Sequence, residues 1–156
     1  MKNSKIKSII VIILGFLLIT GCEDSTGPTT PENATISGTI TFTGYWPSDG
    51  DVAVSLSSTW PPAGAPAASS AITESELSSG TYAYTFENVT FGTYAAIAVS
   101  WQDPDDTNPA TNQHILGAYG ATASDFNDAT SITVSAEDHE QLNRDFDADL
   151  SLAASN

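Results

Sequence analysis

The chain has 156 residues, enough for one ordinary domain plus an extension, and a formal net charge of −15. Its only Lys and Arg residues are Lys2, Lys5, Lys7 and Arg144, and no acid precedes Glu23, so everything beyond the leader sets 19 acids against a single arginine. Such a surface repels phosphate backbones and anionic headgroups, which excludes nucleic-acid binding and attachment to lipid through a basic patch.

Residues 1–21 have the layout of a secretory signal: three lysines, then the uncharged run 8–20, which is short for a membrane span. An uncleaved anchor helix is the alternative for that run. Leu18-Ile19-Thr20-Gly21-Cys22 resembles the bacterial lipobox, in which an aliphatic residue and small residues precede a cysteine. The resemblance implies that the leader is removed and that Cys22 becomes the first mature residue, diacylated on sulfur and acylated on its amine. A thiol is the side chain best suited to that alkylation, and Cys22 is the only cysteine. Several acyl chains at one point hold firmly where one would be marginal. The expected address is therefore the bacterial cell envelope, at the outer membrane or cell surface, with the membrane as partner through the lipid on Cys22. A lone cysteine also excludes internal disulfides and cysteine-based metal sites.

Residues 22–33 read as a lipidated, flexible tether: Gly27, Pro28, Pro31, four Ser/Thr and three acids, with nothing large and apolar to pack. Fully extended, it reaches about 35–40 Å. Asp24-Ser25-Thr26 resembles the short acceptor pattern for O-glycosylation in Bacteroidetes, and an acidic leash after the cysteine resembles surface-export signals of the same group.

The folded domain is expected over residues 34–152, with 153–156 as a tail. Residues 34–43 alternate, Ile36, Ile40 and Phe42 against Ser37, Thr39, Thr41 and Thr43, which predicts a strand with one wet face. After the turn residues Ser48, Asp49 and Gly50, residues 51–57 predict a second strand with Val52, Val54 and Leu56 inward. Residues 60–70, rich in Pro, Ala, Gly and Ser, predict a loop, and 71–79 fit either an edge strand through Ile72 or one helical turn at 74–77. Residues 82–101 predict a central hairpin: Tyr82, Tyr84 and Phe86 share a face, Asn88 and Gly92 mark a corner, and 93–101 are apolar on both faces. A polar loop over 102–113 leads to a short strand at 114–119, interrupted by Gly117 and Gly120. Ile132 and Val134 serve another strand at 131–136, and residues 143–152 a last one, with Phe146, Ala148, Leu150 and Leu152 opposite Asp145, Asp147 and Asp149. Those three carboxylates repel one another and suit a solvated face that protects a sheet edge.

Seven to eight short strands, roughly ten residues apart and almost without helix, predict an all-β fold: a single antiparallel β-sandwich. Ile36-Ser37-Gly38-Thr39-Ile40, Val52-Ala53-Val54-Ser55-Leu56, and Tyr84-Thr85-Phe86-Glu87-Asn88-Val89 with Phe91-Gly92-Thr93-Tyr94 resemble the carboxypeptidase-regulatory-like, or transthyretin-like, sandwich. The resemblance covers most of residues 34–152 and implies that Ig-like architecture and use as an accessory, adhesive or ligand-binding module.

Three groups of residues invite chemistry. Asp103, Asp105, Asp106 and Asn108 place hard oxygen ligands in one loop, the pattern Ca²⁺ requires. Pro104 sits early in that loop, no glycine holds its sixth position, and His114 rather than Glu holds its twelfth, so a solvated turn is the competing reading. Tyr45, Trp46, Trp60 and Trp101, set among carboxylates, are a candidate glycan surface, or else satellite core at the sandwich ends. His114 and His139 are the only groups suited to acid–base work at neutral pH; no Gly-x-Ser-x-Gly turn or second cysteine accompanies them, and nothing in their spacing demands a shared zinc. The expected role is a non-catalytic interaction or structural module at the envelope with a protein or glycan partner. A carbohydrate-binding accessory lipoprotein is the alternative, and a metal-dependent hydrolase a remote one.

Overall fold

The computed structural model describes residues 29–109, 111–122 and 125–154. The expected leader, Cys22 and the expected tether up to residue 28 lie outside the described residues. The domain is an all-β sandwich. Its strands are β1 (Asn33–Thr43), β2 (Asp51–Ser57), β3 (Ala68–Ile72), β4 (Thr81–Thr90), β5 (Gly92–Tyr94), β6 (Ala96–Gln102), β7 (Gln113–Ala118), β8 (Ile132–Val134), β9 (Glu140–Gln141) and β10 (Phe146–Asp149). One sheet has the order β10-β1-β4, with β9 also on β1; the second has the order β3-β2-β6-β7; β5 and β8 form a small third pair.

The alternation in the sequence is what sorts side chains between core and water. In β1, Ala34, Ile36, Ile40 and Phe42 are buried; in β2, Val52, Val54 and Leu56 meet Trp101, Val99 and Ile97 of β6 directly across the ladder. β6 is central, paired with β2 on one side and β7 on the other, and six of its seven residues are buried. Its second face carries only small residues, Ala96, Ala98 and Ser100, beside the equally buried Ser55 and Ser57 of β2. Pro61, Pro62, Ala63 and Gly64 of the proline-rich loop lie near Ile115 of β7 on that side of the molecule.

Several expectations need correction. Residues 82–101 are not a hairpin: β4 belongs to the first sheet and β6 to the second, so the corner carries the chain across the sandwich. The crossing falls at Phe91, between β4 and β5, and Tyr94 fastens it by donating its hydroxyl to the Thr90 carbonyl at 2.7 Å; Asn88, expected at the corner, takes φ 56° within β4 instead, where the ladder with β1 shifts register between Ala34 and Ile36. Residues 68–70, expected in a loop, pair with β2; the open alternatives for 71–79 are realised in succession, as the end of β3 and then a 3₁₀ turn, Glu74–Glu76. Gly117 does not interrupt β7 but pairs within it.

Nor is the sandwich wholly antiparallel, because β9 and β10 both run parallel to β1. After β8 the chain turns through Ser135 and Asp138 at the starting end of β1, and from there it can only follow β1 in the same direction. Between β9 and β10, Asn143 takes φ 57° and the Arg144 N–H donates to the Ser37 carbonyl at 3.0 Å. This jog is possible because residue 38 is glycine: a Cβ there would overlap the Arg144 carbonyl. On the other flank, a Cβ on Gly117 would overlap the Asp147 carbonyl. β10 is also shorter than expected and gives way to a 3₁₀ turn, Leu150–Ala154.

The registers define two poles. Asn33 pairs with Thr90 at the entry pole, while Thr41 pairs with Thr81, and Asp51 with Gln102, at the far pole. An eleven-residue β1 separates them by about 33 Å.

Two measurements probe this closure. Gly38→Ala and Gly117→Ala are each expected to cost about 1–3 kcal/mol in urea unfolding, since neither backbone neighbour can retreat without opening the β10 contact. The second concerns Tyr84, 2 % exposed, whose hydroxyl donates to the Arg144 carbonyl at 2.7 Å. Burial, and then the Asp145 and Tyr119 charges, raise its pKa well above the ordinary phenol value, against a smaller opposing effect of Arg144. The neutral phenol is thus the folded form, and its contribution is complete below the unfolded value of about 10 and fades as pH rises through the folded one. Alkaline titration should show stability falling above about pH 10, and Tyr84→Phe should flatten that fall while losing about 1 kcal/mol at neutral pH.

Candidate functional site

At the far pole, β1 ends at Gly44, whose φ of 84° swings the chain outward. Tyr45 and Trp46 follow in the loop beyond β1. Trp46 turns back and sets its ring edge-on to Phe42, centroids 5.8 Å apart, and is half-buried. Tyr45 stands in solvent, 94 % exposed. Trp101, near the end of β6, is 6 % exposed and donates its indole N–H to the Asp49 carbonyl at 2.8 Å. Gly50, at φ 73°, is what lets the two meet, because a Cβ there would overlap the indole and the Gln102 carbonyl.

These three rings line one cleft of about 650 Å³, with Pro47, Ser48 and Asp49 on the same loop and Leu150, Ser151 and Ala153 from the last 3₁₀ turn opposite. The volume falls within the roughly 300–1,000 Å³ of small-ligand sites. Asp149 builds the far wall: its Oδ1 accepts the Ser151 N–H at 2.9 Å and the Ser151 hydroxyl at 2.7 Å. The hydroxyl first, and the N–H second, hold its carboxyl below the usual range. Residues 143–152 read as one strand from sequence, which hides that wall. The available signal was Asp149 two residues before Ser151, a pairing that favours a turn over a ladder.

Trp60 does not join them. It lies in the loop that leaves the entry-pole end of β2, and donates its N–H to the Phe126 carbonyl at 2.6 Å. The four aromatics of the candidate glycan surface thus divide into a cleft of three and one remote anchor.

In the candidate calcium loop, carboxylates cap their own turns. Asp103 Oδ1 accepts the Asp105 N–H at 2.8 Å, Asp106 Oδ1 accepts the Asn108 N–H at 2.8 Å, and Asp106 Oδ2 accepts the Thr111 hydroxyl at 2.6 Å. The Thr111 bond, then the Asn108 one, lower the pKa of Asp106. Among the described residues, no three His, Cys, Asp or Glu side chains come close enough together to hold a metal ion. The two histidines lie at opposite poles: His114 packs on Trp101, rings 5.4 Å apart, while the His139 carbonyl accepts from Thr35 beside the chain entry. Asp145, Asp147 and Asp149, with Thr41, Thr43 and Thr122, border a separate depression of about 770 Å³, which has carboxylates and hydroxyls where the cleft has rings.

No family model, curated protein or solved structure matches this chain. Function must therefore be argued from the site itself.

Gly50→Ala is expected to push the Trp101 indole off the Asp49 carbonyl. A red-shifted tryptophan emission with strands retained in circular dichroism would register it; an unchanged spectrum would mean that Gly50 does not set the ring.

Proposed function

We propose that this is an exported, lipid-anchored, non-catalytic binding module that holds its Tyr45, Trp46 and Trp101 cleft away from the membrane. The observation that carries the reading is polarity: the chain enters the sandwich at Asn33, and the cleft lies about 33 Å away, beyond the other end of β1. A lipid on Cys22 and a tether ending at β1 attach the sandwich by its entry pole and leave the cleft at the end opposite the attachment. The make-up of the cleft supports binding over catalysis. Its walls are mostly rings and aliphatic groups, with Ser48, Asp49 and Ser151 as the polar members; the Trp101 N–H is bonded to the Asp49 carbonyl, and the Ser151 hydroxyl to Asp149.

The finer fold assignment, an Ig-like or transthyretin-like sandwich, draws support from the Tyr94 hydroxyl bonded back to Thr90 at the inter-sheet corner. That device resembles the tyrosine corner of Greek-key sandwiches. A second reading, carbohydrate binding, is favoured by Tyr45 alone: a ring 94 % exposed at the lip of a cleft is available to stack on the C–H face of a sugar.

Fractionation tests the anchor. The wild-type chain should partition with membranes and incorporate a labelled fatty acid, and Cys22→Ser should lose the label and leave the membrane fraction. Persistence of Cys22→Ser in washed membranes would refute lipid anchoring at that residue.

A further inference from the structure

The geometry points to a positively charged side chain, an arginine or lysine on a segment of a partner protein, as the occupant of the Tyr45, Trp46 and Trp101 cleft. This rests on the reading of the cleft as a binding surface. Aromatic faces carry negative potential and attract cations, most strongly where water is excluded. The cleft offers three rings at graded depth: Trp101 buried, Trp46 half-buried and Tyr45 free to close over a ligand.

The charge around the cleft has the matching sign. The registers bring Asp49, Asp51, Asp103, Asp105, Asp106 and Asp149 to the far pole from three separate connections, together with the acidic Glu74–Glu76 turn. No lysine or arginine accompanies them among the described residues, and the one imidazole at that pole, His114, packs on Trp101. The single arginine of the domain lies elsewhere, and there it already makes the contact proposed for the cleft. Arg144 sits over the Tyr119 ring, 5.8 Å from its centroid, and gives its Nη hydrogens to the Tyr119 hydroxyl and to Gln141, not to a carboxylate. A second copy of the chain is a poor occupant, because it brings the same excess of acid. A neutral glycan would use the rings but gain nothing from the field, whereas a cationic side chain uses both and is steered inward.

The test is calorimetric titration of the full chain in a neutral detergent with two peptides, acetyl-Gly-Arg-Gly-Arg-Gly-amide and its glutamine counterpart, and with neutral α- and β-glucan hexamers. The arginine peptide should bind at least tenfold more tightly than the glutamine one, and its affinity should fall as salt rises. Tyr45→Ala, a fully exposed position, should weaken it several-fold without moving the unfolding midpoint, and Tyr45→Phe should keep it. Tyr45→Ala plus Trp46→Ala should remove at least tenfold. Equal binding of both peptides, or arginine binding untouched by loss of the rings, would overturn the proposal, since the first removes the cation and the second removes the cleft. Glucan binding sensitive to Tyr45→Ala, without arginine binding, would overturn it as well while leaving the cleft as a binding surface. Silence from every probe would sink the cationic occupant outright.

Discussion

The last strand of the domain and the residues that lead into it pass between two glycines. On one side Gly38 of β1 leaves room for the backbone of Arg144; on the other, Gly117 of β7 leaves room for that of Asp147 and Ala148. β1 lies in one sheet and β7 edges the other, so this approach of main chain to main chain closes the sandwich along that flank. It also carries Phe146, Ala148 and Leu150 into the core, where each large apolar group is worth about 1.5–3 kcal/mol. With one cysteine in the whole chain, no covalent bridge can substitute for that packing. The cleft inherits the constraint, because its far wall is the turn that β10 runs into.

Much of this was legible from periodicity. β2 could be bounded to the residue because Asp51 and the turn before it, the alternation of Val52, Val54 and Leu56, and the polar residues after Ser57 all agree. β6 could be placed at the centre because Tyr94 to Trp101 has no polar face, and only a strand covered on both sides tolerates that. Partner choice was not legible. Residues 82–86 and 93–101 look like the two arms of a hairpin, yet β4 and β6 belong to different sheets, since alternation reports which face is wet and not which strand lies alongside. Likewise nothing in residues 140–149 states a direction; the parallel course of β9 and β10 follows from where β8 leaves the chain. Gly117 read as a break because a glycine weakens a strand on its own, and its actual reason, a crossing backbone, is a tertiary fact.

The site shows the same division. Tyr45, Trp46 and Trp101 were noticeable as residue types, but 55 positions separate Trp46 from Trp101 in the chain, and only the pairing of Asp51 with Gln102 brings them to one pole. Trp60 looked equivalent, since it too precedes a proline in a loop, and it differs only in leaving β2 at the opposite end. The aspartates of residues 103–106 suggest a metal site through their oxygens alone. In a loop that must reverse direction between β6 and β7, Asp103 and Asp106 use those oxygens on nearby N–H and hydroxyl groups.

Arg144 also bears on how the domain meets dissolved salt. Its guanidinium rests on a phenol ring, with its donors on neutral oxygens and its Nε buried without a partner, while the carboxylates are spread over the outside. Dissolved ions weaken attraction and repulsion between exposed charges alike, and here the surface has almost only repulsion to weaken. On that balance, added salt is expected to relieve the folded domain more than it weakens it.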